Sequence, residues 1–517
     1  LSHAADGYAR VSGKVGVCLA TSGPGATNLV TGIMTAHMDS IPLLAITGQV
    51  RSNLLGRDAF QETDIVGITV PITKVNYLVQ SIKDIPKIIK EAYFIASTGR
   101  PGPVLVDIPN DIQQQEISYE EFNRLFDKEV KLEGYDPTYV GHPVQIKRAL
   151  SLIKKAKKPL IIAGAGVIKS GASKELLELV NKTDMPVATT LLGLGGFPEN
   201  HELSLGMLGM HGTVPANFAT DEADLVIAAG IRFDDRIAGN PSKFCEHAKI
   251  IHIDIDPAEI DKNKKVDVPI VGDLKNVLAE INKELEPKKH TEWTDKVKEW
   301  KNEYPLAHRN VGEDKLLPQE VLKAVNDILD GDAIVVTDVG QHQMWAAQYL
   351  TFKNPDTIVT SGGAGTMGFG VPAAIGAQVG ARDKKVVLIV GDGGFQMTLE
   401  EIMMIRQYNL PVKIVIINNS FLGMVRQWQE LFKDRRYSFV DLECNPDFVK
   451  IGDAYGIKAE RLQTKADLEN KLKDLILSDE GVILDCIVEK EENVFPMIPA
   501  GKTVSQMIGK KGVLENE

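Results

Sequence analysis

Short apolar runs recur along the chain and are separated by longer segments of helical character. They fall into three sets: residues 15–20, 42–47 and 103–108; residues 160–163, 225–229 and 250–255; and residues 333–339, 386–390, 412–417 and 482–488. Continuous apolar runs of this length are typical of strands buried on both faces, and their alternation with helices is typical of parallel α/β units. We therefore predict an α/β fold with three doubly wound parallel-sheet domains.

Two stretches break this pattern and are predicted to be linkers. Residues 111–142 are polar and charged without sustained periodicity, and residues 283–317 are rich in Lys and Glu and are expected to carry an exposed helix. Polar stretches of this kind between periodic segments mark domain boundaries, so we predict domains at residues 1–115, 143–280 and 318–517.

Composition and charge narrow the possible functions. Hydrophobic residues make up 44% of the chain, charged residues 25% and aromatic residues 6%, and the formal net charge is −12. These values are typical of globular proteins and argue against binding to nucleic acid or to an anionic membrane. The four cysteines are scattered, and no apolar stretch approaches the roughly 20 residues that span a bilayer. We expect a cytoplasmic protein with reduced thiols.

The third set of runs contains the most informative motif. Gly391-Asp392-Gly393-Gly394 follows one apolar run, and Asn418-Asn419 follows the next. Between them, Thr398 and Glu401 have the spacing of a capping box, which predicts that a helix starts at Thr398. Residues that follow neighbouring parallel strands meet at the carboxyl edge of the sheet, where open α/β proteins bind ligands.

This motif suits a magnesium ion that bridges to a diphosphate. Asp392 offers a carboxylate, Asn419 an amide oxygen, and the loop after it a backbone carbonyl, which we assign to Phe421. Oxygen ligands of these kinds are the ones that Mg²⁺ prefers. Gly393 and Gly394 allow the backbone to approach phosphate closely, and the N-terminus of a following helix favours negative charge.

The chain resembles a known family at this motif and at six further segments. Gly-Asp-Gly followed by Asn-Asn is similar to the signature of thiamine-diphosphate enzymes, and nearly the whole chain resembles the acetohydroxyacid (acetolactate) synthase large subunit. The further segments are residues 21–28, 58–62, 206–212, 232–236, 340–345 and 423–428. The resemblance implies a pyrimidine-binding, an FAD-binding and a diphosphate-binding domain, in this order.

The activity implied by the resemblance is that of a carboligase in branched-chain amino acid biosynthesis. Such an enzyme decarboxylates pyruvate on thiamine diphosphate and ligates the resulting enamine to a second 2-oxo acid, either pyruvate or 2-oxobutanoate. The implied cofactors are thiamine diphosphate, Mg²⁺ and an FAD that is kept for structure. The implied assembly is a homodimer or a dimer of dimers with an active site shared between two subunits, joined by a small regulatory subunit.

The resemblance also assigns roles to residues around the reacting centre. It places Phe60 and Gln61 near that centre and makes Met367 the side chain that bends the bound cofactor. Arg236 matches the residue that binds the carboxylate of the second substrate, and Trp428 matches the residue that selects this substrate. The other residues that match contacts to thiamine diphosphate are Pro24, Asn28, Gly340, Gln341, His342, Gly365, Gly393, Gly394 and Met424.

A flavin site is expected in the middle domain. The segment Gly164-Ala165-Gly166 after an apolar run is by itself a weak signal of a nucleotide-binding loop. Arginine suits a diphosphate because its guanidinium donates two parallel hydrogen bonds, and an acidic residue at a strand end suits a ribose hydroxyl. The positions that match the family's FAD contacts are Arg100, Gly164, Gly166, Thr190, Leu191, Gly230, Arg232, Asp254, Ile255 and Asp273.

One family residue has no counterpart in the sequence. The family's catalytic Glu, which hydrogen-bonds the pyrimidine ring, would fall three positions before Leu1 when the chain is aligned on His3 and Tyr8. We therefore expect the first domain to lack its beginning.

Two alternative functions remain open from the sequence. A pyruvate oxidase shares the fold but has a flavin that accepts electrons, and Arg236 and Trp428 favour ligation over it. A non-catalytic cofactor-binding subunit is consistent with the absent Glu.

The chain as it stands is expected to be nearly inactive and poorly folded in its first domain. Loss of a positioned acid or base typically costs about 10²–10⁴-fold in rate. Carboligase activity should be measured beside that of a chain extended upstream, and equal activities would contradict the expectation.

Overall fold

Three parallel β-sheets organise the computed structural model, which describes residues 1–127, 129–130 and 132–513. One sheet has four strands and two have six, and all neighbouring strands within these sheets run parallel. This confirms the predicted α/β fold with three parallel-sheet domains. The expected incompleteness of the first domain and the domain boundaries stay predictions.

The first sheet has the strand order β1-β2-β4-β3. Its strands are β1 Gly16–Ala20, β2 Leu43–Gln49, β3 Val75–Leu78 and β4 Pro103–Pro109. The helices of this region are α1 Ser2–Ser12, α2 Pro24–Thr27, α3 Val30–Asp39, α4 Ile65–Thr69, α5 Ile85–Ser97, α6 Asn110–Gln113 and α7 Tyr119–Phe126. Leu43 and Ala45 of β2 pack on one face of the sheet, and Leu44 packs on the other, so both faces are buried.

The second sheet has the strand order β10-β9-β8-β5-β6-β7. Its strands are β5 Pro159–Ala163, β6 Val187–Thr189, β7 Ser204–Met207, β8 Leu225–Ala229, β9 Lys249–Asp254 and β10 Val268–Val271. Its helices are α8 Pro143–Lys155, α9 Ala165–Lys169, α10 Ser173–Thr183, α11 Val214–Glu222, α12 Asp235–Ala238, α13 Leu274–Glu284 and α14 Thr291–Glu303. Ile161 packs under α8, α10 and α13, and Ile162 packs under α11 and α14, so this sheet is doubly wound.

The third sheet has the strand order β12-β11-β13-β14-β16-β15. Its strands are β11 Ile334–Thr337, β12 Ile358–Val359, β13 Val386–Gly391, β14 Lys413–Asn418, β15 Lys458–Leu462 and β16 Val482–Ile487. Its helices are α15 Pro318–Leu329, α16 Gln341–Tyr349, α17 Gly370–Gly380, α18 Asp392–Gln396, α19 Ile402–Gln407, α20 Gly423–Phe432, α21 Phe448–Tyr455, α22 Lys465–Asp467 and α23 Lys473–Leu477. Ile389 packs against α15 and α16, whereas Leu388 packs against α17 and α19.

The strands that the apolar runs did not predict are mostly edge strands. They are β3, β6, β7, β10, β12 and β15, and only β6 lies inside its sheet. An edge strand has a neighbour on one side only and tolerates polar residues, as in the sequence Lys-Ala-Glu-Arg-Leu of β15. The search for continuous apolar runs therefore found the inner strands except β6 and missed the edge strands except β1.

Both predicted linkers contain helices. Helix α7 lies within residues 111–142, and α14 lies within residues 283–317. The expectation that the second helix is exposed was wrong, because Trp293 and Trp300 of α14 are only 3% and 9% exposed and pack on the second sheet. Together with Val297 they form an apolar stripe at helical spacing. The charged residues around it made this pattern hard to see in the sequence. No helix among the described residues combines the length and the apolar character needed to cross a membrane.

The first and third domains meet through helices α1 and α17. A Cβ atom added at Gly376 of α17 would lie 1.8 Å from the carbonyl oxygen of Ala4. Beside this contact, Arg10 forms ion pairs with Asp6 and Asp39, at 2.6 and 2.8 Å. The carboxylate of Asp39 also accepts hydrogen bonds from the backbone N–H groups of residues 362 and 363, at 3.0 and 2.7 Å. The first domain thereby anchors the loop that carries Met367.

Gly376→Ala is expected to destabilise the protein, although in a helix alanine is more favourable than glycine by up to about 1 kcal/mol. The added methyl group meets backbone, which cannot move aside as a side chain can, and overpacking of this kind typically costs about 1–3 kcal/mol. Chemical denaturation measures the change. Val379→Ala, at a position of the same helix that is 38% exposed, is the control and should stay close to the parent. A stable Gly376→Ala protein would contradict the close packing of α1 on α17.

Candidate active site

The ends of two adjacent strands place the predicted metal ligands at one edge of the third sheet. Strands β13 and β14 pair in parallel, with Gly391 opposite Ile417, so Asp392 and Asn419 both follow directly after this edge. Helix α18 begins directly at Asp392, and a 3-10 helix with Thr398 as its N-cap residue runs over Leu399–Glu401 and leads into α19, so a helical segment starts at Thr398 as predicted. The capping hydrogen bond of Thr398 is absent, because its hydroxyl donates to the carbonyl oxygen of Gly368, at 3.0 Å.

Asp392 is a buried carboxylate without a positive partner. It is 1% exposed, and its Oδ2 accepts a hydrogen bond of 2.6 Å from Asn445 Nδ2. Among the described residues it forms no ion pair, and burial raises its pKa to about 6. Charged groups buried in proteins are normally paired or bound to metals. The environment of Asp392 therefore fits a site whose positive charge is supplied by a bound cation.

The neighbouring asparagines are buried and oriented by other side chains. Asn419 Nδ2 lies 3.3 Å from Gln341 Oε1, and Asn419 Oδ1 accepts from the backbone N–H of Phe421, at 3.1 Å. Asn418 Nδ2 donates to Asp485 Oδ1, at 2.9 Å. The described part of the chain contains no group of three or more His, Cys, Asp or Glu side chains placed to hold a metal. A magnesium ion at Asp392 would thus need oxygens from amides, backbone and a bound phosphate, which is its usual coordination in phosphate sites.

A cavity of about 840 Å³ lies next to this edge and extends across the middle domain. The residues predicted for thiamine diphosphate and substrate that line it are Gly340, Gly365, Met367, Met424, Arg236 and Trp428. The residues predicted for FAD that line it are Arg100, Gly166, Thr190, Leu191, Gly230, Arg232, Asp254, Ile255 and Asp273. The volume is in the range of cavities that enclose large ligands. One continuous space therefore joins the two sets of residues.

The flavin-side residues include an acidic group available as an acceptor. Asp254 ends β9, and burial raises its pKa to about 6. Its Oδ1 accepts from the backbone N–H of Asp256, at 2.9 Å. Arg100 forms ion pairs with Asp256 and Glu259, at 3.0 and 2.7 Å, and lies on the wall of the cavity. A polyhydroxylated ligand bearing a diphosphate fits an acceptor and a guanidinium so placed.

Gly164 differs from the other residues predicted for FAD because it lies outside the cavity lining. A Cβ atom at Gly164 would lie 2.3 Å from the carbonyl oxygen of Gly230, and one at Gly166 would lie 2.6 Å from the Cα of Gly230. These glycines allow two loops to touch at the carboxyl edge of the second sheet. The close contact of these loops is thus sufficient to explain why glycine stands at these positions, without any contact to a ligand.

Three regions of the chain match family models of thiamine pyrophosphate enzymes. The N-terminal TPP binding domain matches residues 2–68, the central domain residues 146–281 and the C-terminal TPP binding domain residues 338–486. A probable acetolactate synthase large subunit from Methanococcus aeolicus is 48% identical, over 98% of this chain and 87% of the relative. The acetolactate synthase large subunits of Corynebacterium glutamicum and Lactococcus lactis are 50% and 47% identical, over 98% and 100% of this chain and 82% and 89% of the relatives.

The chain belongs to the acetolactate synthase large-subunit family. It is therefore a thiamine-diphosphate-dependent carboligase, as the sequence resemblance implied. The family models match whole domains, so the role of each single residue depends on its contacts in the structure.

The first-domain residues expected near the reacting centre and at thiamine diphosphate lie away from the cavity, unlike Arg100. Phe60 is 88% exposed, and Gln61, Pro24 and Asn28 are also exposed. The two loops that carry them touch, since a Cβ atom at Gly23 would lie 2.9 Å from Gln61 Cβ. Within one chain they form a separate cluster on the surface and do not meet the residues around Asp392.

Arg236 reaches the cavity from α12 with an exposed side chain. Its closest acid is Asp235, at 3.7 Å between Nε and Oδ2, and its Nη1 lies 3.7 Å from Met210 Sδ. Beside it, His211 is buried, and burial together with the charge of Arg236 lowers its pKa to about 4. Arg236 is therefore weakly paired, with a neutral imidazole next to it, and a substrate carboxylate can reach it.

His342 packs against the loops at the carboxyl edge of the third sheet. It is buried, and burial lowers its pKa to about 3, so the ring is neutral. A Cβ atom at Gly391 would lie 2.9 Å from His342 Nδ1, and one at Gly340 would lie 3.0 Å from His342 Cε1. The ring therefore packs between the backbones of two loops at the sheet edge.

The sequence motifs did not point to Asn445 or Asp485, although both contact the Asp392 and Asn418 region. Asn445 lies in a loop without a recognisable motif, and Asp485 is an isolated acid within strand β16. Their partners follow from the strand order of the sheet, which a single sequence does not reveal.

Asp392→Asn is expected to stabilise the cation-free protein at pH 8, because it removes a buried charge while keeping the side-chain shape. The rise in the pKa of Asp392 corresponds to a free-energy cost of about 3 kcal/mol for keeping the ionised carboxylate buried. The same variant should lose the rise in melting temperature that Mg²⁺ with thiamine diphosphate gives to the parent.

Asp485→Asn is the matched control. Asp485 is equally buried but is paired with Arg461, at 2.9 Å, so its replacement should lower the stability. Equal effects of the two substitutions on the cation-free protein would contradict the unpaired state of Asp392.

Proposed function

We propose that this acetolactate synthase family member forms 2-acetolactate from two molecules of pyruvate and 2-aceto-2-hydroxybutanoate from pyruvate and 2-oxobutanoate. The observation that supports this most is the buried, unpaired carboxylate of Asp392 beside a cavity that continues into the middle domain. A diphosphate cofactor with Mg²⁺ and a second, larger cofactor match these two features.

In the proposed site, Asp392, Asn419 and the backbone carbonyl of Phe421 would hold Mg²⁺. The backbone N–H groups of Gly393 and Gly394, in the first turn of α18, would bind the diphosphate of the cofactor. Thiamine diphosphate supplies the electron sink that permits decarboxylation and carbon–carbon bond formation. The protein contributes the geometry, the positions of protons and the exclusion of water.

The apolar wall of the cavity supports the decarboxylation step. Met344, Met367 and Met424 line it together with Trp428. Loss of CO₂ disperses charge, and a pocket poor in water favours such a step. We propose that Met367 bends the cofactor, that Arg236 binds the carboxylate of the second 2-oxo acid and that Trp428 forms the wall against which this substrate packs.

We propose FAD as the occupant of the middle-domain part of the cavity, held by Arg100, Arg232, Asp254 and the backbone around Gly230. The flavin is assigned a structural role, as the family resemblance implies.

Two kinds of assembly belong to this proposal. The exposed cluster of Phe60, Gln61, Pro24 and Asn28 is assigned to the pyrimidine half of a site shared between two copies of the chain. The relatives are named large subunits, which suggests a small regulatory subunit as a partner. We also propose that the protein is cytoplasmic.

The proposed reaction is tested by supplying the protein with pyruvate, thiamine diphosphate, Mg²⁺ and FAD. We expect one CO₂ for each acetolactate formed and a flavin that stays oxidised without oxygen. Bleaching of the flavin by pyruvate, without acetolactate, would instead indicate a pyruvate oxidase.

Trp428→Leu should lower the preference for 2-oxobutanoate over pyruvate while leaving acetolactate formation largely intact. The large ring packs against the extra methylene of 2-oxobutanoate, a contact worth about 1–3 kcal/mol, or 10–200-fold. Competition between the two substrates gives the product ratio. Val425→Ala on the same helix, at an exposed position outside the cavity lining, is the control. An unchanged ratio in Trp428→Leu would remove this residue from its role.

A further inference from the structure

Gln341 stands at the start of α16 and is almost completely enclosed, with 3% of its surface exposed. Both ends of its side-chain amide are engaged by other protein groups. Nε2 donates to Gln427 Oε1 and to the carbonyl oxygen of Glu492, at 2.8 and 2.9 Å. Oε1 faces Asn419 Nδ2, at 3.3 Å. The side chain therefore belongs to a buried chain of amides that ends at the proposed metal ligand.

Backbone groups fix the orientation of every amide in this chain. The carbonyl oxygen of Glu492 can only accept, so the group of Gln341 that faces it must be the nitrogen. The backbone N–H of Val494 can only donate, and it lies 2.9 Å from Gln427, which fixes the oxygen of Gln427 on that side. Gln341 therefore presents its oxygen to Asn419 and cannot flip without losing two hydrogen bonds.

This orientation determines which end of the Asn419 amide is free. Its nitrogen is held against Gln341, so its oxygen points to the other side, where it also accepts from the N–H of Phe421. Space for the contact depends on Gly423, because a Cβ atom there would lie 2.1 Å from Gln341 Oε1 and 2.8 Å from Asn419 Nδ2. An amide that is free to rotate would offer its nitrogen to a cation in part of the molecules.

We propose that Gln341 is a positioning residue that holds the Asn419 amide with its oxygen towards the cation. The inference rests on the proposed function, in which Asn419 is a magnesium ligand. Polar groups that orient a metal ligand typically change metal affinity by about 10–100-fold when they are removed. The side chain of Gln341 thus acts through Asn419 as a positioning group, and the cofactor contact that the resemblance implies for this position stays a prediction.

The test uses Gln341→Met, which keeps the length of the side chain but removes both hydrogen-bonding ends. The readout is the melting temperature at saturating thiamine diphosphate as a function of the Mg²⁺ concentration. We expect the half-maximal Mg²⁺ concentration to rise by about 10–100-fold.

Gln348→Met is the matched control. Gln348 lies on the same helix and is also buried, and its Nε2 donates to the carbonyl oxygens of His211 and Phe495, at 2.9 and 3.3 Å. Its loss should cost comparable stability but leave the Mg²⁺ dependence unchanged. Equal shifts in the two variants would show a structural role only and would overturn the inference.

If Gln341→Met does not fold, Gly423→Ala gives the second route, because it displaces Gln341 Oε1 without deleting a hydrogen-bonding group. If the Mg²⁺ dependence of Gln341→Met or of Gly423→Ala equals that of the parent protein, this inference is overturned but the proposed function is not. No effect of Mg²⁺ on the parent protein overturns the proposed function.

Discussion

The active site depends on one electrostatic constraint, the carboxylate of Asp392 buried without a positive partner among the described residues. Parallel pairing of β13 with β14 brings the residues after both strands to one edge, and helix α18 starts directly at this acid. The first N–H groups of a helix favour negative charge, yet burial still raises the pKa of Asp392. The folded protein therefore holds an energetic cost that a bound cation would relieve, as proposed for Mg²⁺.

Neutral amides, and not charges, set the geometry around this acid. Gln341, Gln427 and Asn419 form a hydrogen-bonded chain fixed by the backbone of residues 492–494. Because this segment lies near the end of the described chain, residues far apart in sequence cooperate in orienting the Asn419 side chain. A similar long-range contact joins Asp39 of the first domain to the glycine-rich loop before Met367.

Much of the fold could be predicted, because buried parallel strands are continuous apolar runs. The edge strand β15 could not, since a strand with one neighbour need not be apolar, and α14 was misjudged because its two tryptophans lie among charged residues. At the site, glycine spacing indicated Asp392 and Asn419, whereas Asn445 left no signal. Its hydrogen bond to Asp392 arises from a loop whose path depends on the tertiary structure.

The sequence alone determined the fold class and the family, because both are visible in short local patterns that do not depend on knowledge of the neighbouring segments. The tertiary structure decided which of these patterns share a space. It joined the middle-domain residues and Trp428 in one cavity, and it left Phe60 on the surface of the same chain. It also turned Gln341 inward to Asn419. Such outcomes depend on contacts between distant segments, and these are set by strand order and packing, which no local pattern encodes.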